Sequence, residues 1–235
     1  MTDVLYVLTD KENRKSEREL RLSLRSLKKN CLDLGKVYIC TDELPDWIQN
    51  VEHIKCCDEY EEPEKNVWNK LNTFVEIKDI NEFLFMNDDF YMLKEFIAKE
   101  YPYYYRGKLV YIDNPSRWQK VNNETLHTLQ DTWSLDWFDY CVHCPILYSK
   151  EQYKRMTDRV ADFYFWKHQE CGLSIRCIYG NFVGSDNKKQ VLDCKLWHGE
   201  PLRESDTGCV STADGADDVL DEIEKIFDKK SKYEK

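Results

Sequence analysis

The strongest constraint on this chain is the run Glu82-Phe-Leu-Phe-Met86, which passes without a break into Asn87-Asp88-Asp89. The run predicts an intense β-strand, and the triplet marks its carboxyl edge. Two carboxylates placed directly beyond so apolar a strand need compensation, either from a cation or from dense hydrogen bonding. A strand-end turn, in which Asn87 and Asp88 accept local backbone hydrogen bonds, is the structural alternative.

The segments around this run alternate between the two periodicities. Asp3-Val-Leu-Tyr-Val-Leu8 predicts a buried first strand that ends in a polar loop at Thr9-Asp10. Ser16-x-x-Glu19 has capping-box form, Leu20, Leu24 and Leu27 follow at helical spacing, and Lys28-Lys29 close the helix. Lys36 to Cys40 predicts a second strand, Pro45 to Ile48 a short helical turn, and Asn66 to Ile77 a helix. Strands are then expected at Lys108–Ile112, Ser174–Tyr179 and Gln190–Trp197. Helical stretches are expected from Ser116 to Phe138, from Ser149 with Tyr153, Met156, Val160 and Phe163 inward, and from Ala216 to Phe227. The alternation predicts an α/β domain with a mostly parallel sheet, whose ligands gather outside the carboxyl ends of the strands. Residues 1–228 form this single domain, and the charged run 229–235 is expected to fray.

Composition narrows the function classes. With 34 Lys and Arg against 44 Asp and Glu, the formal net charge is −10, which opposes a broad duplex-binding surface. No apolar stretch is long enough to span a bilayer and Met1-Thr2-Asp3 lacks signal-peptide character, so a cytoplasmic protein with free thiols among its ten cysteines is expected. A single Cys-x-x-Cys, Cys141 to Cys144, has no second pair at zinc-finger spacing. Neither G-x-G-x-x-G nor the P-loop pattern occurs, so dinucleotide-redox and P-loop readings lose their usual support.

The central segments carry a family resemblance. Glu19-Leu-Arg-Leu-Ser-Leu-Arg-Ser-Leu-Lys-Lys-Asn30, Lys36-Val-Tyr-Ile-Cys-Thr-Asp42, Leu44-Pro-Asp-Trp47 and Phe83 to Asp89 resemble the core of the Stealth family of sugar-phosphate transferases. Asp3-Val-Leu-Tyr6 is similar to that family's opening motif, and His143-Cys-Pro145 to its later His-x-Pro block. The loop before the first helix is shorter than in that family, and a second Asn-Asp-Asp block near the C-terminus is missing. Leu196-Trp-His-Gly199 instead resembles the C-terminal His-Gly element of GT-A glycosyltransferases, whose histidine completes a metal site.

These resemblances imply a GT-A-like, Rossmann-like enzyme that transfers a sugar from a nucleotide-sugar donor, with UDP as the default nucleotide. Asp89 and His198 are the implied ligands of Mn²⁺ or Mg²⁺, hard cations that neutralise a leaving diphosphate. A histidine at a strand end making one hydrogen bond is the plainer account of His198. Asp88 is expected to orient the donor beside Asn87, the Thr9-Asp10 loop to receive the nucleotide, and Gly199 to let backbone approach a phosphate. Arg25 offers a diphosphate clamp, while Arg21 on the same face reads as solvated. Lys70 is either a phosphate contact or a surface lysine, and His143 is the implied base toward an acceptor hydroxyl. The acceptor is a glycan or a hydroxymethylated DNA base of phage type. Transfer of a sugar 1-phosphate, or a non-catalytic carbohydrate- or protein-binding module, are the rival functions; the aromatics, notably Tyr101 to Tyr105, Trp118, Trp133 and Trp137, either stack on sugar, uracil or an exposed base or fill the core, and none is assigned a contact.

Overall fold

The computed structural model describes residues 1–13, 17–159 and 170–235. Five strands form the main sheet in the order β3-β2-β1-β4-β7: β1 (Thr2–Val7), β2 (Leu34–Thr41), β3 (Glu52–Lys55), β4 (Glu82–Met86) and β7 (Ile146–Ser149). The first four run parallel and β7 is antiparallel to β4. The chain proceeds from β1 to β2 and β3 on one side, then returns to lay β4 against the other side of β1. That reversal creates a crevice at the carboxyl ends of β1 and β4, the position where open α/β sheets hold ligands.

Alternation along each strand builds the two layers. Leu5, Phe83 and Phe85 face α2 (Pro63–Ile77) through Trp68, Leu71 and Phe74. Val4, Tyr6, Leu84 and Met86 face α1 (Arg18–Asn30) through Leu20, Leu24 and Leu27. Helix α1 has Glu17 as its N-cap residue; the expected cap at Ser16 lies outside the described residues.

A three-stranded sheet, β5-β10-β9, adjoins this core, with β5 at Phe90–Met92, β9 at Lys195–Leu196 and β10 at Cys209–Thr212. A two-stranded parallel sheet pairs β6 (Tyr103–Tyr105) with β8 (Lys188–Gln190). The remaining helices are α3 (Arg117–His127), α4 (Lys150–Arg159), α5 (Ile175–Val183) and α6 (Asp217–Ile226). None of the described helices is long and apolar enough to cross a membrane.

Four sequence expectations are corrected. Lys108–Ile112 is not a strand: Lys108 makes an isolated bridge to Phe138, while Val110 and Tyr111 stand in solvent and pair with no strand among the described residues. Ser174–Tyr179 is helical, because Ser174 caps the amide of Cys177 and Gly184 ends the helix at positive φ. Gln190–Trp197 divides between β8 and β9, and the helix from Ser116 ends in a π-turn at Thr132. Tyr153 and Met156 are buried as expected; Val160 and Phe163 lie outside the described residues.

The C-terminal run does not fray. Tyr233 is buried, the Glu234 carboxylate is fully enclosed, and the Lys235 amide bonds the carbonyl of Trp47. Arg25 donates from Nε and Nη2 to the two oxygens of Glu234, each at 2.8 Å, and from Nη1 to the Phe227 carbonyl. A planar fork meeting a desolvated carboxylate explains why a run of charges can order. Arg21, 3.5 Å from the same carboxylate, and the Ser231 amide would remain on Glu234, so Arg25→Ala should lower stability by about 2 kcal/mol in urea unfolding. An unchanged midpoint would show that the tail is held by other contacts.

Candidate functional site

The crevice between β1 and β4 gathers two of the sequence-derived segments. On the β1 side, Asp10 accepts the Asp58 amide at 3.0 and 2.9 Å, and Asp58 in turn accepts the Thr9 hydroxyl and the Asp10 amide, each at 3.0 Å. Lys70 is fully buried on α2, and its ammonium reaches Asp58 at 2.6 Å, the Leu8 carbonyl at 2.8 Å and Asp10 at 3.2 Å. Its three N–H donors are thus all engaged by protein. Lys70 is neither the surface lysine nor the phosphate contact weighed from sequence; it fastens the loop after β1 to the loop after β3. A cavity lined by Thr9, Asp58, Tyr60 and Asn66 opens beside this bracket.

On the β4 side, Asn87, Asp88 and Asp89 are each partly buried. Asp89 Oδ2 accepts the Ser211 hydroxyl at 2.6 Å, and Lys195 lies 4.0 Å away. Asp89 Oδ1 is buried and receives no hydrogen bond from the described residues. Glu19 belongs to the same cluster: burial, then the charges of Asp89 and Asp214, push its carboxyl above the usual range, against a hydrogen bond from Thr212. A buried carboxylate oxygen without a donor, among further carboxylates, suits a hard cation such as Mn²⁺ or Mg²⁺.

His198 follows β9, and pairing places it at the same end of the small sheet as Asp89. Ser211 on β10 is opposite both Phe90, next to Asp89, and Lys195, three residues before His198. The imidazole is largely exposed, with Nδ1 3.0 Å from Asp218. The Gly199 amide also donates to Asp218, at 2.7 Å, with φ at +81°. Holding Nδ1 by a carboxylate leaves Nε2 outward, which is how a ligand histidine is commonly oriented. Arg25 does not face this region, being committed to Glu234.

Beside the β4 side lies a cavity of about 170 Å³ whose lining includes Asn87, His143, Arg176, Phe85 and Phe90. His143 Nδ1 is 2.9 Å from each oxygen of Asp193, and Arg106 contributes a second ion pair to Asp193 at 3.0 Å. This carboxylate fixes the imidazole tautomer and leaves Nε2 with a lone pair. Burial alone would raise the Asp193 carboxyl, but bonding and charge from His143, with help from Arg106, hold it down to about 2.

Arg176 and Asp193 were missed by sequence reasoning. Arg176 lay in a segment read as a strand; on a helix it occupies the first turn of α5. There Nη1 donates to the Cys144 carbonyl at 2.6 Å, and Nη2 stands 3.4 Å from Asn87 Oδ1. One turn later Gly180 presses onto Tyr140, where a Cβ would come within 2.5 Å of the ring, and this close approach sets the helix position. The capping pair Ser174 and Gly184 was the available signal for Arg176. None marked Asp193, because its partner is 50 residues away.

All ten cysteines are free thiols. Asp139, Cys141 and Cys177 come close enough to share an ion, yet Arg106 bonds the Asp139 carboxylate at 2.6 Å, so a cation there would face a guanidinium.

No protein-family model matches the chain, and no curated protein matches it. Among solved structures, the galactosyltransferase LgtC in complex with donor and acceptor sugar analogs aligns over 98% of this chain and 98% of its own, with TM-score 0.51 and 9% identity. An active-site mutant of LgtC gives the same values. The glycosyltransferase GlyE from Streptococcus pneumoniae TIGR4 aligns over 81% of this chain at 10% identity and TM-score 0.43, and the chain spans 45% of GlyE. The likeness to LgtC establishes the fold as the GT-A type, with a mostly parallel sheet flanked by helices.

The Asp193 geometry has a pH signature. Its native carboxyl titrates below the unfolded one, so its contribution to stability is complete above about pH 4 and is lost as pH falls toward about 2. Asp193→Asn should cost on the order of 1 kcal/mol at pH 7, after allowing for solvent screening, and should flatten acid unfolding in that window. Urea titrations at pH 7 and pH 3 would measure both.

Proposed function

We propose that this chain is a metal-dependent glycosyltransferase that moves a sugar from a nucleoside-diphosphate sugar, UDP-linked, to an acceptor hydroxyl. The observation that carries the reading is the donorless buried Oδ1 of Asp89, at the mouth of a GT-A-type crevice and among other carboxylates.

Asp89 and His198 would hold Mn²⁺ or Mg²⁺, which when bound neutralises charge on the leaving diphosphate. The Thr9-Asp10 loop receives the nucleotide in the cavity beside Asp58, and Lys70 sets the shape of that loop from below. Asp88 and Asn87 orient the donor sugar, and the Gly199 turn leaves room for a phosphate to approach backbone. Arg176, rather than Arg25, is the guanidinium near the reacting centre. His143 Nε2 accepts the proton of the acceptor hydroxyl while Asp193 stabilises the imidazolium that results. The acceptor is a glycan hydroxyl; a net charge of −10 works against approach of a DNA polyanion.

Arg176 beside His143 also favours a second reading, in which the chain transfers a sugar 1-phosphate as the Stealth resemblance implies. The nucleotide product separates the two, UDP for glycosyl transfer and UMP for phosphosugar transfer.

Two variants test the assignment. Asp89→Ala should abolish Mn²⁺-dependent UDP-sugar turnover and the Mn²⁺-dependent part of the thermal shift given by UDP, with circular dichroism unchanged. Full turnover in this variant would sink the metal role. His143→Ala should lower turnover by roughly 10²- to 10⁴-fold, yet keep the UDP and Mn²⁺ thermal shift; a lost shift would instead assign His143 to donor binding.

A further inference from the structure

The cavity that contains His143 and Arg176 has further lining that the donor chemistry leaves unused. Trp118, in the first turn of α3, and Glu64, in the first turn of α2, both border it. Tyr111 and Trp197 are more exposed, but neither borders this cavity; Trp118, which does, is 42% exposed. Among the described residues its indole N–H makes no hydrogen bond. Glu64 is partly buried, and desolvation raises its carboxyl above the usual range, with a bond from its own amide and then the Arg117 charge offsetting only part of this.

An exposed indole and a carboxylate lining one cavity are a recognisable chemistry. The indole offers a flat apolar surface, large enough to cover one face of a pyranose ring and its C–H bonds. The carboxylate oxygens accept hydrogen bonds, matching hydroxyl donors at the ring's edge. A small pocket with apolar walls and a few convergent polar groups has the usual composition of a small-ligand site, and 170 Å³ is room for one ring. A nucleobase would also stack, but the acidic net charge repels the phosphates that accompany one in a polynucleotide.

We propose that Trp118 and Glu64 form the acceptor subsite, Trp118 as the stacking platform and Glu64 as the hydroxyl acceptor, and that the acceptor is a saccharide presenting a pyranose ring to them. This rests on the glycosyltransferase reading for the identity of the neighbouring site, since it places the ring within the cavity that holds His143. Trp118 is a specificity-determining residue, with no part in proton transfer or in binding UDP.

The test is saturation-transfer NMR on the full chain with UDP and Mn²⁺ present, using methyl α- and β-glucopyranosides and galactopyranosides as probes and 2′-deoxycytidine as the nucleoside arm. At least one glycoside should show transfer to its ring C–H protons. Trp118→Ala should weaken that glycoside at least fivefold, Trp118→Phe should restore part of the affinity, and Glu64→Gln should weaken it with the indole intact. The thermal shift from UDP and Mn²⁺ should be the same in all three variants and the parent. Equal glycoside binding by Trp118→Ala, binding of deoxycytidine with no glycoside, or silence from every glycoside would each overturn the subsite. Absence of the UDP and Mn²⁺ shift in the parent, with glycoside binding still dependent on Trp118, would overturn the donor reading and leave the saccharide subsite standing.

Discussion

An ammonium group sealed from water holds the β1 side of the crevice together. Lys70 has no exposed surface, and an ion so placed is tolerated because two carboxylates and a carbonyl surround it. Two of those acceptors, the Leu8 carbonyl and Asp10, belong to the loop after β1 and the third, Asp58, to the loop after β3, and the two aspartates are further tied by each other's amides. Thr9 and Asp10 therefore stand in a shape set from within the core. A loop at the end of a central strand would otherwise be free to sample many conformations.

The same logic explains how charge is distributed around the crevice. Carboxylates that already have partners, Asp10, Asp58 and Asp193, are balanced by Lys70, Arg106 and hydrogen bonds. Glu19 and Asp89 are less well compensated, and the Glu19 carboxyl rises accordingly. A protein that satisfies one acidic group carefully and leaves another short of donors has separated framework from binding capacity.

Much of the fold was legible because its central strands are unusually apolar and its first helix carries a regular Leu20, Leu24, Leu27 stripe. Those patterns depend on local periodicity, which one sequence displays. The second half was harder. Ile175 and Ile178 suggest a strand by composition, yet caps and tertiary packing make them helical. Val110 and Ile112 look like strand residues but join no edge among the described residues. Within the candidate site, Asn87, Asp88 and Asp89 could be found because they abut an obvious strand. The partners of Lys70, Arg25 and His143 lie 12 to 209 residues from them along the chain, a separation that periodicity does not encode.

Strand β10 serves as a common ruler for the small sheet. It pairs with β5, which follows Asp89, and with β9, which precedes His198, but β9 is fixed by a short ladder, Ser211 to Lys195 and Thr212 to Leu196. A slip of one residue along that ladder would shift His198 by roughly 3.3 Å and turn neighbouring side chains to the opposite face. The distance between the two prospective ligands is thus an adjustable dimension of the molecule, tuned by the loop from Gly199 to Gly208 that joins β9 to β10. Exchanging that loop among proteins of this architecture is a route to moving His198 relative to Asp89 while leaving the five-stranded sheet untouched.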